Sequence, residues 1–138
     1  KNFVLTMKSL AEKGIKPTVV NDQIGRLTFT SDLARAIKHL LTPVSHAPTP
    51  IPHPYGTYNV TSEGKPASWA EVASLVYELT GNNPDDVTGV STDEYYTNKA
   101  GIAPRPLQST LNLDKIKATG FVPRDWREAL VEYLEQQG

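Results

Sequence analysis

Apolar side chains recur every three or four residues in four stretches of the chain, and this spacing predicts four amphipathic helices. Each stretch follows a residue whose side chain can cap a helix, namely Asn2, Thr30 or Ser31, Ser68, and Asp125. Glycines at 14 and 81 are expected to end the first and third helices, because a glycine readily adopts the left-handed conformation that stops a helix.

The second and third helices have the clearest one-sided patterns. In the second helix we expect a buried face of Leu33, Ala34, Ile37, Leu40 and Leu41, with Asp32, Arg35, Lys38 and His39 on the polar face. In the third helix, Ser68 and Glu71 have the spacing of a capping box. The expected buried stripe of that helix is Val72, Leu75, Val76 and Leu79.

Three stretches have the composition of short β-strands, at residues 16–20, 56–61 and 86–90. Two brief helices are expected over 91–96 and 112–119, and polar turns over 21–25 and 62–66. Residues 42–55 contain five of the 11 prolines, so they predict an exposed, partly polyproline-like loop.

None of the three strands is the long apolar run that a central parallel strand requires. A few short strands covered by about five to six helices predict a small α/β lobe rather than a nucleotide-binding core. The length of 138 residues suits one compact domain. Because the only methionine is Met7 and the chain opens on Lys1, we expect a piece of a longer protein.

Composition and charge narrow the function classes. The chain has no cysteine, which excludes disulfides, zinc ribbons, iron–sulfur sites and a thiol nucleophile. Fourteen basic and 15 acidic residues give a net charge of −1 without long runs of one sign, so no nucleic-acid partner and no polybasic membrane anchor are expected. No apolar run approaches the roughly 20 residues of a membrane span, and no signal peptide is evident, so we expect a cytoplasmic location.

Several catalytic patterns are absent from the chain. It contains no G-x-G-x-x-G or Walker loop to cradle phosphates, no G-x-S-x-G elbow and no H-E-x-x-H pair. The three histidines have no converging set of ligands in the sequence, so we expect no metal site. Tyr95 and Lys99 have the spacing of a reductase pair, but the glycine at 101 should end the helix there, and we interpret the spacing as coincidental.

Two polar features remain as candidate binding groups. Asp22 and Gln23 follow a predicted strand, where α/β proteins tend to place ligand contacts, and the simpler alternative is an Asx-turn made by Asp22 or Asn21. Arg105 lies between two prolines that stiffen the backbone, which suits binding of a phosphate or carboxylate, with an internal salt bridge as the alternative. Trp69 and Trp126 are expected to be packing residues, while Tyr95 and Tyr96 could reach a cleft.

A set of linked motifs points further. They are V-V-N-D-Q-x-G with T-x-x-S-D-L-A (19–34), G-T-Y-N (56–59), S-W-A-E-V-A (68–73), R-P-x-x-S-x-L-x-x-x-K-I (105–116) and G-F-x-P-R-D-W-R-E-A-L (120–130). In order and spacing they resemble the C-terminal half of dTDP-4-dehydrorhamnose reductases, which are extended short-chain dehydrogenases/reductases. The resemblance covers nearly the whole chain, with the proline-rich loop as an insertion.

The resemblance implies an NADPH- or NADH-dependent reduction of dTDP-4-dehydro-L-rhamnose to dTDP-L-rhamnose. It places the glycine-rich loop and the catalytic Tyr-x-x-x-Lys pair before Lys1, so no catalytic residue and no bound cofactor are expected in this chain. The substrate-binding residues it implies here are Asp22, Gln23, Thr28, Arg105, Gln108 and Ser109. Two motifs depart from the family: Leu27 replaces the proline of G-x-P-T, and Gln108 replaces the asparagine of R-P-x-N-S.

The expected partners are therefore a dTDP-sugar and an N-terminal Rossmann domain. A fused epimerase and a homodimer of the chain stay open, because cutting such a reductase in two exposes apolar surface. The alternative function is a non-catalytic binding or regulatory member of the same family. A retained or lost tyrosine–lysine pair upstream of Lys1 would separate the two.

Overall fold

The structure is a computed structural model that describes residues 2–42, 53–97 and 101–137. Most of the proline-rich segment therefore lies outside the described residues, as does Lys99. In chain order the elements are α1 (Phe3–Glu12), β1 (Thr18–Val20), β2 (Ile24–Gly25), α2 (Thr30–Leu41), β3 (Ala67–Ser68), α3 (Trp69–Leu79), a 3-10 turn (Pro84–Asp86), β4 (Thr88–Val90), α4 (Thr92–Tyr96), α5 (Asp114–Lys117) and α6 (Trp126–Glu135). The predicted mixed α/β class with few short strands is confirmed.

The chain forms two compact units, each assembled from two separate segments. The first unit consists of Lys1–Gly25 and Pro66–Ser109, and the second of Arg26–Lys65 and Thr110–Gly138. All four strands belong to the first unit, together with α1, α3 and α4, while the second unit holds α2, α5 and α6. The assignment of residues 1–138 to a single substrate-binding domain stays a prediction.

In the first unit, two short strand pairs are covered by two helices. Strands β1 and β4 pair in parallel with Val19 opposite Gly89, and β2 pairs antiparallel with β3. Helix α1 buries Val4, Met7 and Ala11, and it begins at the predicted cap, where the Asn2 side chain accepts a hydrogen bond from the Leu5 N–H. The predicted capping box of α3 is also present.

The buried face of α3 differs from the predicted one. Leu79 is exposed, whereas Ala73 and Tyr77 are buried. The reason is a long-range hydrogen bond: the Tyr77 hydroxyl donates to the Ile15 carbonyl at 2.7 Å, which draws the tyrosine inward. The buried face therefore keeps the predicted Val72 and Val76 and includes Ala73 and Tyr77 in place of Leu79.

In the second unit, a small core forms around α2 and α5. It contains Ala36, Leu113, Ile116 and Phe121, and the partly buried Leu40, Tyr58 and Val60 pack against it. Helix α6 adds Trp126, Ala129, Leu130 and Leu134, and its N-cap Asp125 accepts from the Arg127 N–H. The brief helix expected over 112–119 is present as α5, and it buries Ile116.

The predicted buried face of α2 is correct only in part, since Leu33 and Leu40 are partly buried while Ala34 is exposed. Ile37 is 58% exposed and Leu41 78% exposed, whereas Asp32 and Ala36 are the buried residues of the helix. An ion pair explains the difference, since Arg124 donates to Asp32 at 2.8 Å and compensates the buried carboxylate. The predicted caps are also wrong, because Phe29 occupies the N-cap position without a side-chain bond.

Residues 56–61 do not form the predicted strand. Their side chains do behave as strand residues, since Tyr58 and Val60 point to the core of the second unit. Among the described residues, however, no neighbouring strand supplies the main-chain hydrogen bonds of a ladder. A strand cannot be formed without such a partner.

Candidate functional site

A cavity of about 430 Å³ opens in the first unit. Its walls are the apolar face of α1, strand β1 and a group of aromatic rings, and its lining residues are Phe3, Thr6, Met7, Leu10, Pro17, Thr18, Val19, Val20, Gln23, Trp69, Tyr95, Tyr96 and Arg105. A concave and mainly apolar surface with a few polar groups is the usual form of a small-molecule site. This cavity is the candidate functional site.

Arg105 is the one charged residue among the lining residues. It is exposed, and no aspartate or glutamate of the described residues forms an ion pair with it. The alternative of an internal salt bridge therefore finds no partner within the described ranges. A guanidinium with its donors available gives the cavity a site for an anionic group such as phosphate or carboxylate.

Aromatic rings form much of the remaining wall. Trp69 is 38% exposed, and its indole packs edge-on against Phe3 with the ring centroids 4.7 Å apart. Tyr95 and Tyr96 contact each other edge-to-face, with centroids 5.0 Å apart. Flat rings of this kind can pack on a heterocycle or a sugar face, while the phenols offer hydrogen bonds.

The sequence predicts a packing role for both tryptophans, but the structure shows that only Trp126 is buried. Trp126 is buried, and its indole N–H donates to the Lys65 carbonyl at 2.8 Å. Trp69, by contrast, is the first residue of α3 and lines the cavity while packing on Phe3. The position of Trp69 at the start of a helix, next to a strand, is the sequence feature that could have identified it as a cavity residue.

The Asp22–Gln23 turn connects the cavity wall to α4. The Asp22 carboxylate accepts three hydrogen bonds from Thr92: two from its main-chain N–H, at 2.9 and 3.0 Å, and one from its hydroxyl, at 2.6 Å. These bonds, led by the one from the hydroxyl, lower the pKa of Asp22 below its ordinary value of 3.8. Gln23 is 7% exposed and donates from its side-chain amide to the same hydroxyl at 3.0 Å.

Of the other predicted site residues, Gln108 and Ser109 belong to the first unit and Thr28 to the second. The segment that carries Gln108 and Ser109 runs beside β2, because the Ile24 N–H donates to the Leu107 carbonyl and the Ser109 N–H donates back to the Ile24 carbonyl, both at 2.8 Å. Gln108 and Ser109 are exposed and do not line the cavity. Thr28 belongs to the second unit, where its hydroxyl bonds to the Thr61 hydroxyl at 2.7 Å.

Of the six predicted site residues, the cavity thus brings together two, Gln23 and Arg105. Asp22 contacts α4 instead of lining the cavity. The role of all six in substrate binding stays a prediction.

A second, more open cleft of about 470 Å³ lies in the second unit. Arg35, Lys38 and His39 contribute to it, and His39 bonds through Nε2 to the Thr119 hydroxyl at 2.9 Å. The ring of His39 also stacks on His53, so these histidines are packed and not merely solvated. Among the described residues no group of three or more His, Asp or Glu side chains could hold a metal ion.

Among the described residues of the first unit, the starts of α3 and α4 offer few free amides to a pyrophosphate. Helix α3 directly follows β3, and α4 follows β4 after one residue. Side chains already accept hydrogen bonds from the first amides of both helices. At α4, Asp22 and Ser91 take the Thr92 and Glu94 N–H groups, and at α3 the Ser68 hydroxyl takes the Glu71 N–H. No glycine-rich loop frees such amides for a pyrophosphate. In the described part of the chain no helix is long and apolar enough to cross a membrane.

Comparison with known proteins gives one consistent result. Residues 1–138 match the family described as "RmlD substrate binding domain". The spore coat polysaccharide biosynthesis protein SpsK of Bacillus subtilis is 41% identical over 136 residues, which are 99% of this chain and 42% of that protein.

Two solved structures have a similar fold. The dTDP-4-dehydrorhamnose reductase of Clostridium acetobutylicum matches with a TM-score of 0.78 and 32% identity, over 99% of this chain and 44% of the other. The enzyme of the same name from Bacillus anthracis, solved in complex with NADP, matches with a TM-score of 0.76 and 29% identity, over 100% of this chain and 44% of the other. The chain therefore spans about two-fifths of the length of these relatives.

Proposed function

Since the chain belongs to the family of RmlD substrate-binding domains, we propose that it is the substrate side of an NAD(P)H-dependent reductase that converts dTDP-4-dehydro-L-rhamnose to dTDP-L-rhamnose. The observation that carries this proposal is the cavity of the first unit, with Arg105 as its charged group among aromatic walls. The relatives named dTDP-4-dehydrorhamnose reductase support the same reaction, as proteins of which this chain spans part.

The cavity has the groups that a nucleotide sugar needs. The diphosphate would bind the Arg105 guanidinium, because charged N–H donors form short, strong bonds with phosphate oxygens. The thymine ring would pack among the aromatic side chains, of which Trp69 is partly exposed. The hydroxyls of the sugar or the polar edge of the base would bond to Gln23 and to the phenols of Tyr95 and Tyr96.

The reduction adds a hydride to the C4 carbonyl carbon and a proton to its oxygen, which gives a hydroxyl group. The nicotinamide cofactor supplies the hydride when it is bound to the longer protein, and the sequence of this chain contains no glycine-rich loop to hold it. The contribution of this chain is to bind and orient the nucleotide sugar, which lowers the entropic cost of bringing the carbonyl to the reacting groups. The proposed partner is an N-terminal nucleotide-binding domain of that protein.

The reaction is tested with the purified full-length protein that carries this chain, NADPH or NADH, and dTDP-4-dehydro-L-rhamnose. We expect oxidation of the cofactor with formation of dTDP-L-rhamnose, followed by absorbance and by chromatography. Folded protein that binds dTDP-L-rhamnose without turnover would instead support the non-catalytic binding function. A fused epimerase, a homodimer and a cytoplasmic location stay predictions.

A second prediction concerns the 138-residue chain itself. We expect it to show no reductase activity and no calorimetric binding of NADPH at micromolar concentration, because it lacks a phosphate loop. A circular dichroism spectrum with helical content is the control for folding. Micromolar NADPH binding by the folded chain would contradict the prediction.

A further inference from the structure

The turn after β1 is joined to α4 by the hydroxyl and the main-chain N–H of Thr92. Thr92 follows Asp22 by 70 residues in sequence, yet its hydroxyl lies 2.6 Å from an Asp22 carboxylate oxygen and 3.0 Å from the Gln23 side-chain nitrogen. The same threonine is the first residue of α4, which carries Tyr95 and Tyr96 into the cavity wall. Removing this hydroxyl should therefore affect three lining residues of the cavity, which are Gln23, Tyr95 and Tyr96.

The Thr92 hydroxyl has one proton, and this fixes which group donates in each of its hydrogen bonds. An ionised carboxylate can only accept, so the single proton of the Thr92 hydroxyl must be donated to Asp22. Towards Gln23 the hydroxyl is then left with an acceptor function alone. Gln23 must consequently present its amide NH₂ to Thr92, and its carbonyl oxygen is held on the other side of the amide group.

We infer that Asp22 is a positioning residue that acts through Thr92 to hold the Gln23 amide in one orientation, with its carbonyl oxygen as a hydrogen-bond acceptor in the cavity. The matching ligand group is a donor, either the ring N–H of a pyrimidine such as thymine or a hydroxyl of the sugar. The inference rests on the proposed function for the identity of the ligand. It goes beyond that function because it assigns Asp22 no direct contact with the substrate.

The same bonds fix the place of the two tyrosines. Three hydrogen bonds from Thr92 to one carboxylate hold the first turn of α4 against the turn that carries Gln23. Charge-assisted bonds of this kind are about twice as strong as neutral ones. The hydrogen bonds of Thr92 therefore position both the Gln23 carbonyl oxygen and the pair Tyr95 and Tyr96. Removing these bonds should disturb both.

The first test compares two substitutions of Thr92 in the full-length protein. Thr92→Val removes the hydroxyl with little change of shape, while Thr92→Ser keeps it. We expect Thr92→Val to raise the KM for the ketosugar about tenfold, with kcat within about twofold, as for a lost binding contact that is equal in ground and transition states. Thr92→Ser should restore a KM near that of the wild type, and an equal KM in Thr92→Val and wild type would overturn the inference.

The ligand donor is identified with two analogues. A dTDP-sugar methylated at the thymine N3 loses the ring donor, and plain dTDP loses the sugar hydroxyls. If the acceptor binds the base, Thr92→Val should weaken the unmethylated ligand and leave the affinity of the methylated one unchanged. If it binds the sugar, Thr92→Val should weaken dTDP-L-rhamnose but not dTDP. Equal weakening of all the ligands would contradict a specific acceptor role.

A second readout does not depend on activity. In protein with ¹⁵N-labelled glutamine, the side-chain NH₂ signal of Gln23 is assigned by its loss in Gln23→Met. We expect its hydrogen exchange to be slow in the wild type and in Thr92→Ser, and faster in Thr92→Val. Equal exchange in all three would overturn the inference, even if the reductase assay succeeds. Slow exchange that needs Thr92 would support the orientation of Gln23, even if the proposed substrate proves wrong.

Discussion

The two units each hold an aspartate in the same stretch of chain, and each stabilises it differently. Asp22, in the first unit, accepts hydrogen bonds from the N–H and hydroxyl of Thr92. Asp32, in the second unit, is 3% exposed and pairs with Arg124 at 2.8 Å and Arg35 at 3.0 Å. One carboxylate is held by neutral donors and the other by two cations.

The difference indicates different roles. No cation of the described residues forms an ion pair with Asp22, so its bonds mainly fix the direction of neighbouring groups. The guanidinium groups around Asp32 compensate the cost of burying a charge, and one of them ties α2 to the segment before α6. We expect damage at Asp32 to reduce stability and damage beside Asp22 to reduce substrate binding.

The largest expected effect is the loss of Arg124. Arg124 also bonds to Glu132, and its bond to Asp32 is the main cause that raises the pKa of its guanidinium. In Arg124→Leu the buried carboxylate keeps Arg35 alone, and we expect a loss of about 2–4 kcal/mol in the free energy of unfolding. Urea denaturation followed by circular dichroism measures this loss.

The matched control for this prediction is Arg127→Leu in the second unit. Arg127 packs over the Trp126 ring and bonds to the Lys65 carbonyl, but it pairs with no buried carboxylate among the described residues. We expect this variant to lose about 1 kcal/mol or less. Equal losses in the two variants would show that the ion pair with Asp32 does not carry the stability of the second unit.

The next effect concerns the cavity of the first unit. Arg105→Ala in the full-length protein should raise the KM for the ketosugar about 10- to 100-fold, since a charge-assisted bond to phosphate would be lost. The free energy of unfolding should change by less than about 0.5 kcal/mol, because Arg105 is exposed and unpaired among the described carboxylates. An unchanged KM would remove Arg105 from the site, and Arg105→Lys shows how far charge alone suffices.

Local signals explain how much of the fold could be predicted. The Asn2 cap and the Ser68–Glu71 box were readable because both partners lie within three residues of each other. The buried face of α2 was not, since it depends on Arg124, which is 92 residues from Asp32. Residues 56–61 failed as a strand for a related reason: pattern predicts which side chains face inward, but a ladder needs a partner strand.

The candidate site divides in the same way. The place of Gln23 and Arg105 in the cavity wall could be predicted because each combines a polar side chain with a stiff or strand-end backbone. The contact of Asp22 with Thr92 could not, because 70 residues separate them and neither has a distinctive motif. The sequence predicts a packing role for Trp69, and only its place beside Phe3 in the cavity wall indicates a second role.

The smallest expected effect is a pH dependence of stability at Asp22. Because the Thr92 bonds lower its pKa below 3.8 in the folded chain, the unfolded chain binds the proton first as the pH falls. The stabilisation is thus complete above the ordinary pKa and is lost as the pH falls through the folded-state pKa. Chemical denaturation of wild type and Asp22→Asn at pH 6 to pH 2.5 should therefore give a stability difference that shrinks below about pH 4.

The control for this titration is Glu78→Gln, which removes an exposed carboxylate that has no side-chain bond to the described residues. It gives the baseline for losing one negative charge on α3. A difference for Asp22→Asn that grows as the pH falls would mean that the carboxylate is destabilised in the folded chain. Asp22 would then resemble a buried and poorly compensated charge more than a positioning residue, and the contrast with Asp32 would no longer hold.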